Sequence, residues 1–132
     1  MSFSPSLTHT SPVREGRIGH IALWTLQIAL AGMFLLAGSS KLFGAAAMVG
    51  LFEAIGIGQW FRYVTGLIEV SSAVALLVPS FAVFGALALV ATMIGAIAAH
   101  LFVVGGSPAM PVILLLGSAG VLWARRHQLL GA

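Results

Sequence analysis

Gln27, Lys41, Arg62, Glu69 and His100 are polar or ionisable side chains set in strongly apolar surroundings. Glu69 is the sharpest case. It lies in TGLIEVSSAVALLV, residues 65 to 78, where its neighbours are otherwise small, aliphatic or hydroxylic. A carboxylate in apolar surroundings is costly to keep charged unless a cation or hydrogen-bond donors meet it, so the position implies a paired brace or a group that handles protons or a ligand. Lys41 and Arg62 are the candidate cations, and His100 is a candidate proton carrier or hydrogen-bond donor. Two readings stay open for Glu69: an ion pair with Lys41 or Arg62 that fixes helix register, or a working group in a pocket. His100 has a matching pair of readings, a hydrogen-bonded histidine at a membrane interface or a ligand contact.

There is no cysteine, which excludes disulfides, thiolate catalysis, cysteine-bound metal and c-type haem attachment within this chain. His20 and His127 fall near one interface, but their spacing does not recommend a haem, and no metal site is expected.

The elements that must position these groups follow from composition. The chain has 132 residues, 60% hydrophobic and 7% charged, against about 25% charged in a soluble domain. Mean hydropathy is +1.10. Residues 21–40, 70–99 and 101–124 carry neither charge nor histidine, and about 20 apolar residues suffice for a spanning helix. Pro79-Ser80 divides the middle run with a tight turn. The expected fold is therefore all-α, a polytopic membrane protein with a four-transmembrane-helix bundle and spans at about 18–42, 61–78, 82–104 and 110–124. A membrane barrel would show short alternating segments instead. Residues 1–17, rich in Ser, Thr and Pro, read as a flexible tail, and 125–132 as a second short tail. Ala29-Leu30-Ala31 resembles a signal-peptide cleavage site, but the apolar run continues past it, so the first span is read as retained.

Arg14 and Arg17 precede the first span and Arg125 and Arg126 follow the last, while Lys41 and Arg62 lie on the other side. The positive-inside rule places both termini in the cytoplasm. Basic residues at helix ends do not form a nucleic-acid patch. Trp60 and Trp123 fall at expected interfaces.

Helical periodicity puts Thr65, Gly66, Ser72, Ala73 and Leu76 on the face of Glu69, with Arg62 two turns away, and Leu67, Val74 and Val78 on the opposite face. The small, partly polar face suits the bundle interior and the other suits lipid. On the first helix, Gln27, Phe34, Ala37 and Gly38 share the stripe of Lys41. The expectation is an outward-opening polar pocket holding Gln27, Lys41, Glu69 and His100. The segment FGAAAMVGLFEAIGIGQWF, broken by glycines, reads as an interfacial helix over about 45–55 with glycine hinges, a candidate lid. In the third span Gly85, Ala88, Thr92, Gly95 and Ala99 form a row of small residues, read as a tight packing face.

LAGSSKLFG, then LFEAIGIG, YVTGLIEVSSAVALLVP and ATMIGAIAAHL, followed by a proline-bearing loop and a last span, resemble the DoxX-like membrane proteins over about residues 20 to 125. The resemblance implies a four-helix bacterial inner-membrane protein of the DoxX, DoxD and MauE grouping. That grouping is linked to quinone-coupled oxidation of sulfur compounds, membrane oxidoreductase complexes and oxidative-stress responses. It also implies that Lys41, Glu69 and His100 occupy the family's polar positions.

Two functions follow. In one, the pocket binds a quinone or similar small hydrophobic carbonyl compound, and the chain is the membrane subunit of an oxidoreductase whose redox centre lies on a membrane or periplasmic partner, with no covalent cofactor of its own. In the other, the chain is a structural or assembly subunit, or a homo-oligomer, whose buried charges specify helix packing. A small transporter or ion path is a weaker third reading.

Overall fold

A computed structural model describes residues 12–130, and all its regular elements are helical. In chain order they are α1 (Pro12–Phe43), α2 (Ala46–Ile55), α3 (Gln59–Leu76), α4 (Ala82–Ala99) and α5 (Ala109–Ala124). A π-helical turn, His100–Val104, continues α4, and a 3₁₀ turn, Arg126–Leu130, follows α5.

The start of α1 corrects the expected tail. Residues 12–17 are helical, with proline at the first helical position, where its fixed φ is pre-organised and its missing N–H is not needed. The remainder of that tail, residues 1–11, lies outside the described residues. At the other end the 3₁₀ turn occupies most of the expected 125–132 tail.

The helices α1, α3, α4 and α5 pack in a closed ring, each against the next and α5 back on α1. Their core contains Leu30, Phe34, Ala73, Leu76, Leu89 and Val121. Gln27, Arg62, Glu69, Ser72 and Ser118 are also buried, whereas Phe43 and Phe102 are 88% and 83% exposed. Large apolar side chains therefore cover the outside while polar ones lie within, the reverse of a soluble protein's default. Two segments, Gly16–Phe43 and Ala82–Val104, are long and apolar enough to cross a membrane. Only 28% and 11% of their most apolar stretches are buried, too little for core helices of a soluble bundle. α2 and α5 are apolar but shorter, and α3 carries Arg62 and Glu69.

α2 occupies the place of the expected interfacial helix, crossing the end of the bundle between Gly44 and Gly56. Both glycines, and Gly58, have positive φ, which lets the chain reverse sharply on either side of so short a helix.

Candidate functional site

The contact between α1 and α3 begins at two glycines. A Cβ on Gly38 would lie 2.9 Å from the Gly66 carbonyl oxygen, and one on Gly66 would lie 3.0 Å from the Gly38 oxygen, so the two backbones touch. One turn beyond each glycine stand Lys41 and Glu69, and the close approach sets Lys41 Nζ 2.6 Å from Glu69 Oε1. The contact is an ion pair at hydrogen-bonding distance, and among the described residues Oε1 has no other partner. Among the described residues no hydrogen bond reaches Oε2 either. A carboxylate has about four lone-pair sites. Glu69, only 1% exposed, has Lys41 as its one partner among the described residues and further lone-pair sites to spare.

Arg62 is buried on the same face of α3 but does not pair with Glu69. Its Nη1 donates to the Lys41 backbone carbonyl, and its Nε donates to Gln59 Oε1 at 2.7 Å. Gln59 Nε2 in turn donates to the Val49 carbonyl of α2 at 3.1 Å. Arg62 thus places positive charge at the C-terminal end of α1, where the helix dipole favours it, and through Gln59 ties that end to α2. Arg62→Met should destabilise the fold by about 1–2 kcal/mol, since it uncaps α1 and unpairs Gln59. Thermal unfolding in detergent reads this directly, and faster proteolysis near Gly56 should accompany it.

Lys41, Glu69 and His100 line one cavity of about 540 Å³, within the ~300–1,000 Å³ typical of small-molecule sites. α2 forms its roof through Met48, Leu51, Phe52 and Ile55, and α5 adds Met110 and Leu114. The remaining wall is mostly apolar. Thr65 and Thr92 also line it, but their hydroxyls donate to the carbonyls one turn back, Phe61 and Ala88. The row of small residues on α4 divides accordingly. Gly85 packs against α3, with its Cβ position 2.7 Å from the Ser72 carbonyl oxygen, while Thr92, Gly95 and Ala99 face the cavity.

His100 opens the π-helical turn, a backbone irregularity that often marks functional positions. Its Nδ1 lies 2.9 Å from the Ala96 carbonyl oxygen. A carbonyl only accepts, so Nδ1 carries the proton there, and in the neutral ring Nε2 is left as an acceptor.

Gln27 is not part of this cavity. The fully buried amide donates from Nε2 to the Leu76 carbonyl at 2.6 Å and accepts from Arg125 Nε at 2.7 Å. Arg125 also lies over the Trp24 ring, with the guanidinium carbon 5.3 Å from the centroid. This clasp joins α1, α3 and the end of α5 at the opposite end of the bundle from Lys41. Gln27→Leu should therefore cost about 1–3 kcal/mol, because it strands the Leu76 carbonyl and Arg125. A lower unfolding temperature with unchanged ligand affinity would separate the clasp from the cavity.

Sequence reasoning did not anticipate Gln59, the α5 contribution to the cavity, or Arg125 as a hydrogen-bond donor to Gln27. Gln59 had a signal, since it stands three residues before Arg62 on the same helix face. Among the described residues no three His, Asp or Glu side chains gather closely enough to hold a metal ion.

The model of the DoxX-like family matches residues 25–121, from the middle of α1 to the last turn of α5, and so takes in α2, α3 and α4 whole with most of α1 and α5. The chain belongs to the DoxX-like family. The matched region contains every element that shapes the DoxX-like cavity, including Lys41, Glu69 and His100. No curated protein and no solved structure matches this DoxX-like chain.

Proposed function

We propose that this protein is the four-span membrane subunit of a quinone-linked oxidoreductase system, binding a quinone or similar hydrophobic carbonyl compound between Lys41, Glu69 and His100. The observation that carries the reading is a buried Lys41–Glu69 ion pair that shares a largely apolar cavity of ligand size with His100. An ammonium and an imidazole share the cavity, so an oxygen of a ring carbonyl finds donors in Lys41 and in protonated His100. Reduction of a quinone by two electrons takes up two protons, which are drawn from water outside the bundle and passed on by His100 and Glu69. The electrons come from a partner, because this chain has no thiol and no recognisable cofactor motif.

The spanning arrangement is part of the proposal. α1 and α4 with its π turn cross the bilayer, and α3 and α5, with 18 and 16 residues, cross as shorter helices of about 27 and 24 Å. A bilayer thins around short helices at modest cost. The charged groups of α3, Arg62 and Glu69, face inward, leaving Val64, Leu67 and Val74 toward lipid. Arg17, Arg125 and Arg126 at the same end of the bundle support a cytoplasmic side there, in a bacterial inner membrane, and the cavity then lies in the outer half.

A tail-less benzoquinone titrated into the detergent-purified protein should bind saturably at one site per chain. Glu69→Gln and His100→Ala should each weaken that binding by at least about tenfold, or roughly 1.4 kcal/mol. Undiminished binding in both variants would remove this site from consideration. The second reading, a structural or assembly subunit, is favoured by one observation, the Arg62 and Gln59 tie that links α1, α3 and α2 without any ligand.

A further inference from the structure

Of the six Lys and Arg residues in the sequence, only Lys41 is a lysine. An ion pair that merely braced α1 against α3 would be served as well by arginine, whose planar fork meets a carboxylate with two parallel hydrogen bonds. What lysine has and arginine lacks is an amine that becomes a nucleophile once it gives up a proton. Three features of the fold surround that amine. Glu69 Oε1, 2.6 Å from Nζ, is close enough to take the proton. Arg62 donates to the backbone carbonyl of Lys41 itself and so holds a permanent positive charge beside it, and a neighbouring cation is one of the settings in which lysines act as nucleophiles. The cavity lined by Lys41 and Glu69 is mostly apolar, which favours the uncharged amine and carboxylic acid left by proton transfer. The hydroxyls on the same wall are engaged: Thr65 and Thr92 donate to the carbonyls of Phe61 and Ala88, and Ser107 Oγ accepts from the Ala109 N–H.

We propose that Lys41 captures small hydrophobic aldehydes as a reversible Schiff base, an activity separate from quinone binding in the same cavity. Glu69 takes a proton from Nζ, the amine adds to the carbonyl carbon, and the carbonyl oxygen takes that proton from Glu69 to give a carbinolamine. Glu69 then removes one of the two protons left on nitrogen and delivers it to the hydroxyl, which leaves as water while the C=N bond forms. Nothing is oxidised or reduced. One aldehyde enters, one water departs, and the product is an iminium ion that still faces the Glu69 carboxylate. The charge pairing between α1 and α3 is therefore the same before and after, and hydrolysis reverses the sequence. The apolar wall suits a hydrophobic substituent, and an aldehyde is the carbonyl class that condenses most readily with an amine.

The test incubates the protein in mild detergent with benzaldehyde and cyanoborohydride, which reduces the iminium to a stable benzylamine. Peptide mass spectrometry separates label on Lys41 from label on the N-terminal amine, and no second lysine competes. In water at pH 7 roughly one ordinary lysine in 2,500 is unprotonated, so an unassisted Lys41, being buried, would react more slowly in the fold than in the chain unfolded by guanidinium. The reverse is expected. Labelling of Lys41 should saturate with benzaldehyde and run at least about tenfold faster in the folded protein, below the ~10²–10⁴-fold that a positioned proton-transfer group can supply. Glu69→Gln, checked for folding by its thermal transition, should lose at least about tenfold of that rate. Equal or slower labelling in the fold, or an undiminished rate in folded Glu69→Gln, would overturn the proposal. If Glu69→Gln does not fold, the comparison of folded with unfolded unaltered protein decides alone. The quinone reading is judged separately, by titration of protein that has met no aldehyde. Fast labelling of Lys41 without quinone binding would keep this inference and remove that reading, and quinone binding with an inert Lys41 would do the opposite.

Discussion

Lys41→Met is expected to destabilise the folded protein by about 3 kcal/mol, because it leaves Glu69 buried without its one cation. In a bundle of this size such a loss lowers the unfolding temperature by on the order of 10 °C. Glu69→Leu should cost less, roughly 1–2 kcal/mol, since the Lys41 side chain is 13% exposed against 2% for Glu69 and its amine can reach polar surroundings. The double variant Lys41→Met/Glu69→Leu should recover most of the stability lost by Lys41→Met, as buried ion pairs replaced by apolar residues often do. It should nonetheless fail to bind a benzoquinone. Thermal unfolding of all three variants, with binding measured on those that remain folded, separates brace from working group. A double variant that is stable and still binds would reduce the pair to a brace. A double variant that is no more stable than Lys41→Met would show that the pair's environment cannot accept apolar side chains.

The second large effect is expected at Gly38. A Cβ there would stand 2.7 Å from Val70 Cγ2, 2.9 Å from the Gly66 oxygen and 3.1 Å from Glu69 Cβ. Of these neighbours the Gly66 oxygen is backbone and cannot rotate away, so even Gly38→Ala pushes α1 from α3. Overpacking of this kind typically costs about 1–3 kcal/mol, and Gly38→Leu should lie at or beyond the upper end. The separation also pulls Lys41 from Glu69, so ligand affinity should fall with stability. Gly95→Ala is the matched control. It adds a Cβ into open space on another helix and should change stability by less than about 1 kcal/mol. Equal tolerance of alanine at both positions in thermal unfolding would refute the backbone contact between α1 and α3.

How much of this was legible in the sequence depends on whether a feature is an angle or a distance. The inward face of α3 was readable, because a 3.6-residue period fixes which residues share a direction. Arg62, Gly66, Ser72, Ala73 and Leu76 are buried with Glu69, while Leu67 and Val74 are exposed. The same reasoning misplaced Gln27. It shares a stripe with Lys41, but 14 residues along a helix is about 21 Å, so a common face did not imply a common site. Lys41 and Arg62 are equal candidates for Glu69 in the sequence; Lys41 takes the role, and the acceptor of Arg62 is a backbone carbonyl, which every residue carries and no residue type announces. The α2 helix was visible through the glycines that bound it. The divided role of the small residues on α4 was not, since one row both packs against α3 at Gly85 and lines the cavity at Gly95. Periodicity reports the row, and only the path of the neighbouring helix decides which half packs.

The central claim is that Glu69 serves a bound hydrophobic carbonyl compound, and the most direct measurement asks what the protein already carries. The protein and Glu69→Gln, each purified in mild detergent, would be extracted and their small molecules identified by mass spectrometry. A quinone in near-stoichiometric amount is expected with the unaltered protein, as is its loss from a Glu69→Gln variant that remains folded. No bound quinone in either sample, with the variant falling apart or losing a partner chain, would contradict it and leave a structural subunit.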